Sequence, residues 1–209
     1  MVGQGVLREC LLDPNVQHVL SIVRSASGQQ HAKLTELVRK DFFDYSTIES
    51  QLTGYDACFF CLGVSSSGLS EESYSRVTYD ITMAAAQTLV RLNPFMTFIF
   101  VSGTGTDSTE QGRTMWARVK GKTENALLRL PFKAVYIFRP AGIQALHGNQ
   151  SRTPSYRVLY ALAKPVFPLL KLLLPNYITT TEHLGRAMLR VAQSGFAKRI
   201  LEACDINQA

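Results

Sequence analysis

Gly3, Val6, Leu7, Cys10 and Leu11 recur at helical spacing, so the chain opens in an amphipathic helix that Asp13-Pro14-Asn15 stops. The next apolar block, Val16 to Val23, has strand length and closes at Arg24, Ser25 and a loop through Gly28. A short apolar piece, Leu34 to Val38, leads to Asp41-Phe42-Phe43-Asp44. Tyr45 to Leu52 reads as a short helix before the turn Gly54-Tyr55-Asp56. Ala57 to Leu62 is apolar at every position, which predicts a strand buried on both faces, as in a parallel sheet. A flexible loop, Gly63 to Gly68, precedes a long helix from about Glu71 to Leu92, stopped by Asn93-Pro94. Phe95 to Val101 is the next strand, and Thr114 to Leu130 the next helix. Lys133 to Phe138 forms a strand that leaves through Arg139-Pro140-Ala141-Gly142-Ile143. A polar loop, Gln144 to Pro154, and a proline-broken apolar stretch, Tyr156 to Leu174, follow. Thr179-Thr180-Thr181-Glu182 signals the start of a helix that Gly195 ends, and Arg199 to Ala203 reads as a last short strand.

Strands alternating with helices predict an α/β fold, a parallel sheet with helices on both faces. At 209 residues the chain fits one domain, residues 1–209, with 144–178 as a substrate-side lid region. The 46% hydrophobic and 18% charged composition argues against disorder and coiled coil. The net charge of +6 comes from dispersed cations with no basic run, so no nucleic-acid partner is expected. Cys58 and Cys61 spell C-x-x-C inside a strand-like run, where odd spacing sends the two thiols to opposite faces, and core thiols are expected. Neither the cysteines nor His18, His31, His147 and His183 have metal-ligand spacing, so no metal is expected. No signal peptide is apparent, and lysines and prolines interrupt the apolar segment Val158 to Pro175. A soluble, cytoplasmic protein is the expectation.

The candidate chemistry gathers in Met96 to Lys120, MTFIFVSGTGTDSTEQGRTMWARVK. A strand ends in Ser102, and the following helix carries Trp116 and Lys120 on one face. In a parallel α/β sheet a ligand lies beyond the carboxyl ends of the strands. The loops there hold Arg24 and Ser25, Gly63 and Ser65, Ser102 to Thr104, and Pro140 to Ile143. GVSSSG departs from the G-x-S-x-G nucleophile pattern.

The order of these loops, the MWARVKGKTENALL helix and the FRPAGI strand exit resemble atypical or extended short-chain dehydrogenases/reductases. Within them the likeness is to Tat-interacting-protein-like oxidoreductases and bacterial NAD-dependent epimerase/dehydratase-like proteins. It covers nearly the whole chain. The resemblance implies a Rossmann-like, doubly wound, NAD(P)-binding domain acting on a small-molecule substrate, without fixing the oligomeric state. It matches Gly3 to the third glycine of the family's G-x-x-G-x-x-G. The first strand and two earlier glycines are then missing, which reads as an N-terminal truncation or late start. That strand would lie between those at Val16 and Ala57, whose ladder groups would be left unpaired.

The resemblance places Arg24 at the adenosine-ribose 2′-phosphate, favouring NADP over NAD, with Ser25 beside it. It sets Asp41 and Phe42 beside the adenine, and Leu62 and Gly63 (after Cys61) under the adenosine. Pro140 and Ile143 fall beside the nicotinamide, and Lys120 on its ribose. Ser102, Trp116 and Lys120 take the catalytic positions. The family's proton-donating tyrosine is Trp116 here, and an indole N–H donates a hydrogen bond without titrating. Water or a hydroxyl such as Thr104 would substitute. Two readings follow: an NAD(P)-dependent oxidoreductase or epimerase-like protein working on a small carbonyl or alcohol, or a catalytically weak or inactive dinucleotide-binding regulatory or interaction protein. The Tyr156 to Leu174 segment reads first as a lid and second as a membrane-surface contact.

Overall fold

The apolar blocks become parallel strands, and the amphipathic blocks become the helices that cover them. The computed structural model describes residues 1–148 and 177–209. Helix α1 (Val2–Leu12) leads into β1 (Val19–Val23) and β2 (Leu34–Val38). A 3-10 turn (Ser46–Gln51) precedes β3 (Ala57–Phe60). Helix α2 (Glu71–Ser75) passes through a π-helical turn (Arg76–Asp80) into α3 (Ile81–Leu92). Then come β4 (Thr97–Val101), α4 (Met115–Leu128), β5 (Ala134–Arg139) and β6 (Gly142–Gln144). After the undescribed residues come β7 (Ile178–Thr180), α5 (Thr181–Ser194), β8 (Ile200–Glu202) and α6 (Ala203–Ile206). The expected Tyr156 to Leu174 helical region, and most of the 144–178 lid, lie outside the described residues.

All pairings are parallel. The order β3-β4-β5-β8 forms one sheet, with Phe98 opposite both Cys58 and Val135. β1 pairs with β2, with Val19 opposite Leu34. β6 pairs with β7, with Gly142 opposite Ile178. Neither β6 nor β7 was legible in the sequence, because three residues are too few for a period.

Two apolar layers sandwich the strands. One holds Phe98, Phe100, Leu127 and Ile137 with Leu20, Ile22 and Cys58. The other holds Ile99, Phe138, Leu184 and Met188 with Val19, Phe59 and Cys61. Cys58 and Cys61 thus pack into opposite layers, as their odd spacing requires. Burial pushes both thiols up to about 12, so neither is a nucleophile at neutral pH.

Within the described residues β1 pairs with β2 alone and β3 with β4 alone, so β1 and β3 each keep one edge without a ladder partner. Both strands still contribute to the same two layers. At their lower ends Tyr55 Oη lies 3.3 Å from His18 Nδ1. The open edges correspond to the strand that the resemblance sets between β1 and β3. They also correct one expectation: β4 is buried from Thr97 to Phe100, whereas Ala57, Cys58 and Phe59 of β3 are half-buried. A strand with a ladder on one side only is covered less.

Helices α1 and α5 cross at glycines. A methyl at Gly5 would meet the Thr181 carbonyl oxygen at 2.7 Å, and one at Gly185 would meet Glu9 Cγ at 2.8 Å. Buried Glu9 ties the crossing by accepting from Arg186 Nε at 3.0 Å. Thr180 caps α5 by accepting from the His183 N–H, and Gly195, at φ +75°, ends it. Among the described residues no helix is long and apolar enough to cross a membrane.

Candidate active site

Because β3, β4 and β5 run parallel, Phe60, Val101 and Arg139 end on the same edge of their sheet. The loop after β4 is stitched to the exit of β5. Ser102 N–H donates to Phe138 O at 2.7 Å, and Thr104 N–H to Pro140 O at 3.1 Å. Thr104 Oγ1 donates to Arg139 O at 2.9 Å. Ser102 is buried, and its hydroxyl lies 3.1 Å from that of Thr106, which itself donates to Gly103 O at 2.8 Å. The direction of this short chain follows from proton count. Thr106 has spent its proton, so Ser102 donates to Thr106 and offers lone pairs elsewhere.

The rest of the loop rests on α4. Asp107 N–H donates to Ala117 O at 3.1 Å. The Asp107 carboxylate accepts from Thr109 Oγ1 at 2.6 Å and Gly112 N–H at 2.6 Å, and these hydrogen bonds hold it below the usual carboxylate range. Gly121 permits the contact, since a Cβ there would sit 1.8 Å from the Asp107 carbonyl oxygen.

Trp116, Lys120 and Glu124 follow one another at i, i+4 spacing on one face of α4. The Trp116 ring packs beside the Gly105 turn, where φ is +87° and a Cβ would stand 3.5 Å from the indole. Glu124 is fully buried and is gripped by Arg139, through Nε at 3.2 Å to each oxygen and Nη2 at 2.5 Å. Arg139 also donates to Ser108 Oγ at 2.6 Å and Glu202 Oε1 at 2.9 Å. Lys120 lies between these two anchors with its ammonium over the Phe100 ring, 5.7 Å from the centroid. Burial pushes its pKa down to about 8, against the opposing pull of the Glu124 charge. Its ammonium donates to no acceptor among the described residues, because the nearby carboxylate is already taken by Arg139.

The remaining candidates occupy varied surroundings. Arg24 and Ser25 are exposed directly after β1, and Gly63 is exposed with open space above it. Leu62 is half-buried, and Pro140 and Ile143 are buried. Gly3 stands in the first turn of α1, where a Cβ would meet Cys61 Cβ at 3.3 Å. That turn holds no acidic residue and no side-chain cap. Asp41 is exposed and its carboxylate accepts from Phe43 N–H at 2.8 Å. Phe42 turns its ring into the core beside Tyr45 and Ile48. The exposed neighbour is Phe43, with the Arg76 guanidinium 5.3 Å from its centroid. Thr104, expected as a substitute donor, has its hydroxyl committed to Arg139 O. Sequence reasoning missed the Glu124–Arg139 pair. Its signal was an acid four residues after Lys120 and an arginine at a strand end. Among the described residues no cluster of His, Cys, Asp or Glu could hold a metal ion.

No protein-family model matches the chain. Protein fmp52, mitochondrial, of Emericella nidulans is 28% identical over 159 residues, covering 73% of this chain and 66% of the relative. The chain thus matches just under two thirds of that relative's length. Among solved structures, the Bordetella bronchiseptica enzyme WbmG in complex with NAD superposes with a TM-score of 0.68 at 10% identity, over 97% of this chain and 68% of that one. A DesIV double mutant (dTDP-glucose 4,6-dehydratase) from Streptomyces venezuelae, with NAD and DAU bound, gives 0.67 at 15% identity, over 97% and 72%. These likenesses establish the fold alone: a Rossmann-like parallel sheet with helices on both faces.

Proposed function

We propose that this chain is an oxidoreductase or epimerase-like protein that binds a nicotinamide dinucleotide and moves hydride to or from a small carbonyl or alcohol. The observation that carries the reading is Lys120. It presents an ammonium with no acceptor among the described residues, over the Phe100 ring near the carboxyl end of β4. The fold's relatives with NAD in their crystals support the same cofactor class.

The residues fit such a cofactor. The uncapped first turn of α1, with Gly3, suits a pyrophosphate. Arg24 and Ser25 suit the adenosine ribose, with Asp41, Leu62 and Gly63 near the adenosine. Pro140, Ile143 and Lys120 suit the nicotinamide end. A bound dinucleotide supplies or accepts the hydride. The protein's part is to orient and to move a proton. Ser102, its own proton turned to Thr106, accepts from a substrate hydroxyl. Trp116 gives an apolar wall. An exposed arginine directly after β1, with no acid at the strand's end, supports NADP over NAD as the cofactor.

Calorimetric titration of the full chain with NADPH and NADH tests this. NADPH is expected to bind more tightly, and Arg24→Ala should weaken NADPH about tenfold, the worth of one charge-assisted contact, while leaving NADH nearly unchanged. Binding of neither dinucleotide would overturn the reading. A second reading, a weak or inactive dinucleotide-binding regulatory module, is favoured by Trp116 in the tyrosine position, and predicts binding without turnover. The name of the Emericella nidulans relative places that protein in mitochondria.

A further inference from the structure

We infer that Lys120 is itself the proton-transfer group of this site, taking the part that a titrating hydroxyl would play. The inference rests on the function proposed above and concerns which atom carries the proton.

It follows first by elimination. Trp116 offers an indole N–H that does not titrate. The hydroxyls around the site have committed their protons: Ser102 to Thr106, Thr106 to Gly103 O, and Thr104 to Arg139 O. The Asp107 carboxylate is locked in its turn by Thr109 and Gly112. Lys120 alone in this group retains protons with no acceptor among the described residues.

It follows also from position. Four residues before it, Trp116 touches the loop at Gly105; four residues after it, Glu124 holds Arg139 at the end of β5. Both ends of this helix face are thereby fixed, and Lys120 projects between them over Phe100, two residues before Ser102.

The electrostatics agree. From its own helix Glu124 pulls the pKa up, but that carboxylate is shared with Arg139. Arg139, facing from β5, is in turn neutralised by Glu124 and Glu202. No carboxylate is left solely to Lys120, and desolvation brings its pKa to about 8, close to the pH at which an acid-base group is most effective.

The step balances. In the reducing direction the carbonyl carbon gains the hydride, and the C=O π pair moves to oxygen. The N–H bond of Lys120 breaks as the new O–H bond forms. The amine then regains a proton from water. Reduction requires the ammonium, so its rate falls as pH rises through about 8. Oxidation requires the amine and rises over the same range.

The test uses the full chain with 13C-labelled lysine. One lysine Cε resonance, absent in Lys120→Arg, is expected to titrate near 8 without any ligand. NADPH oxidation is then followed with a panel of aldehydes from pH 6 to 10. The wild-type kcat should fall with the same midpoint. Lys120→Arg keeps the positive charge but cannot give up its proton at these pH values. It should retain NADPH affinity within about threefold and lose about 100-fold or more in kcat. A lysine that served only to bind the cofactor would show the reverse split. An ordinary Lys120 titration, or an arginine variant within tenfold of wild type, overturns the inference while NADPH binding leaves the proposed function standing. NADPH binding without turnover across the panel overturns the inference and supports the regulatory reading. Absence of dinucleotide binding removes both.

Discussion

Glu124→Ala is expected to lower the unfolding free energy by about 3–5 kcal/mol, the range for removing one partner of a buried ion pair. Glu124 is fully buried and accepts three contacts from Arg139, which is itself only 8% exposed. Without the carboxylate the guanidinium keeps Ser108 and the half-exposed Glu202, neither of which replaces two buried oxygens. A buried charge left short of its partner is worse than no charge. The double variant Glu124→Leu with Arg139→Met should therefore be much less damaging than the single change. Urea denaturation of the three proteins checks both statements. A single-variant loss under about 1 kcal/mol would show that water reaches the pair. Since domains of this kind are stable by about 5–15 kcal/mol, the expected loss is a large part of the total.

Gly121→Ala is expected to destabilise by about 1–3 kcal/mol, the range for overpacking, although glycine to alanine inside a helix ordinarily stabilises by about 0.5–1 kcal/mol. The sign inverts because the new methyl would stand 1.8 Å from the Asp107 carbonyl oxygen and 2.6 Å from its carbon. The obstacle is backbone, so no side-chain rotation relieves it. The loop must lift from α4, breaking the Asp107 N–H to Ala117 O hydrogen bond and carrying Thr106 away from Ser102. Gly103→Ala is the control, since nothing lies within 4 Å of a Cβ there. Thermal melting should separate the two, with Gly121→Ala lower and Gly103→Ala near wild type. Equal melting temperatures would mean that the loop yields without cost.

The architecture was largely readable because strands of a parallel sheet covered by helices are dominated by apolar residues. The blocks that became β1, β3, β4 and β5 announced themselves this way. Short elements escaped. Leu34 to Val38, an apolar piece too short to show a period, is β2. The π turn at Arg76–Asp80 lies inside a helix whose apolar spacing absorbs one extra residue. In the site, Ser102, Trp116 and Lys120 were accessible because they belong to one strand-loop-helix unit. The Glu124–Arg139 pair was not, since its partners are 15 residues apart on a helix and a strand that only the tertiary fold brings together. The swap of Phe42 for Phe43 at the surface has a similar origin. Asp41 and Asp44 turn the backbone by accepting from Phe43 N–H and Ser46 N–H, and those turns decide which of two adjacent phenylalanines faces inward.

Among the described residues, the open edges of β1 and β3 leave two separate ladders, β1-β2 and β3-β4-β5-β8. β1 and β2 share a backbone ladder with each other, but side-chain packing holds them to β3, β4, β5 and β8. The pair can therefore detach by losing apolar contacts without breaking a hydrogen-bonded ladder between the two parts. In native-state hydrogen exchange the amides of Val19–Val23 and Leu34–Val38 would then open together at a lower free energy than those of β4 and β5, which exchange through global unfolding. Arg24, directly after β1, hangs from this less stable unit. Any ligand that engages Arg24 and Lys120 together would fuse the two units into one.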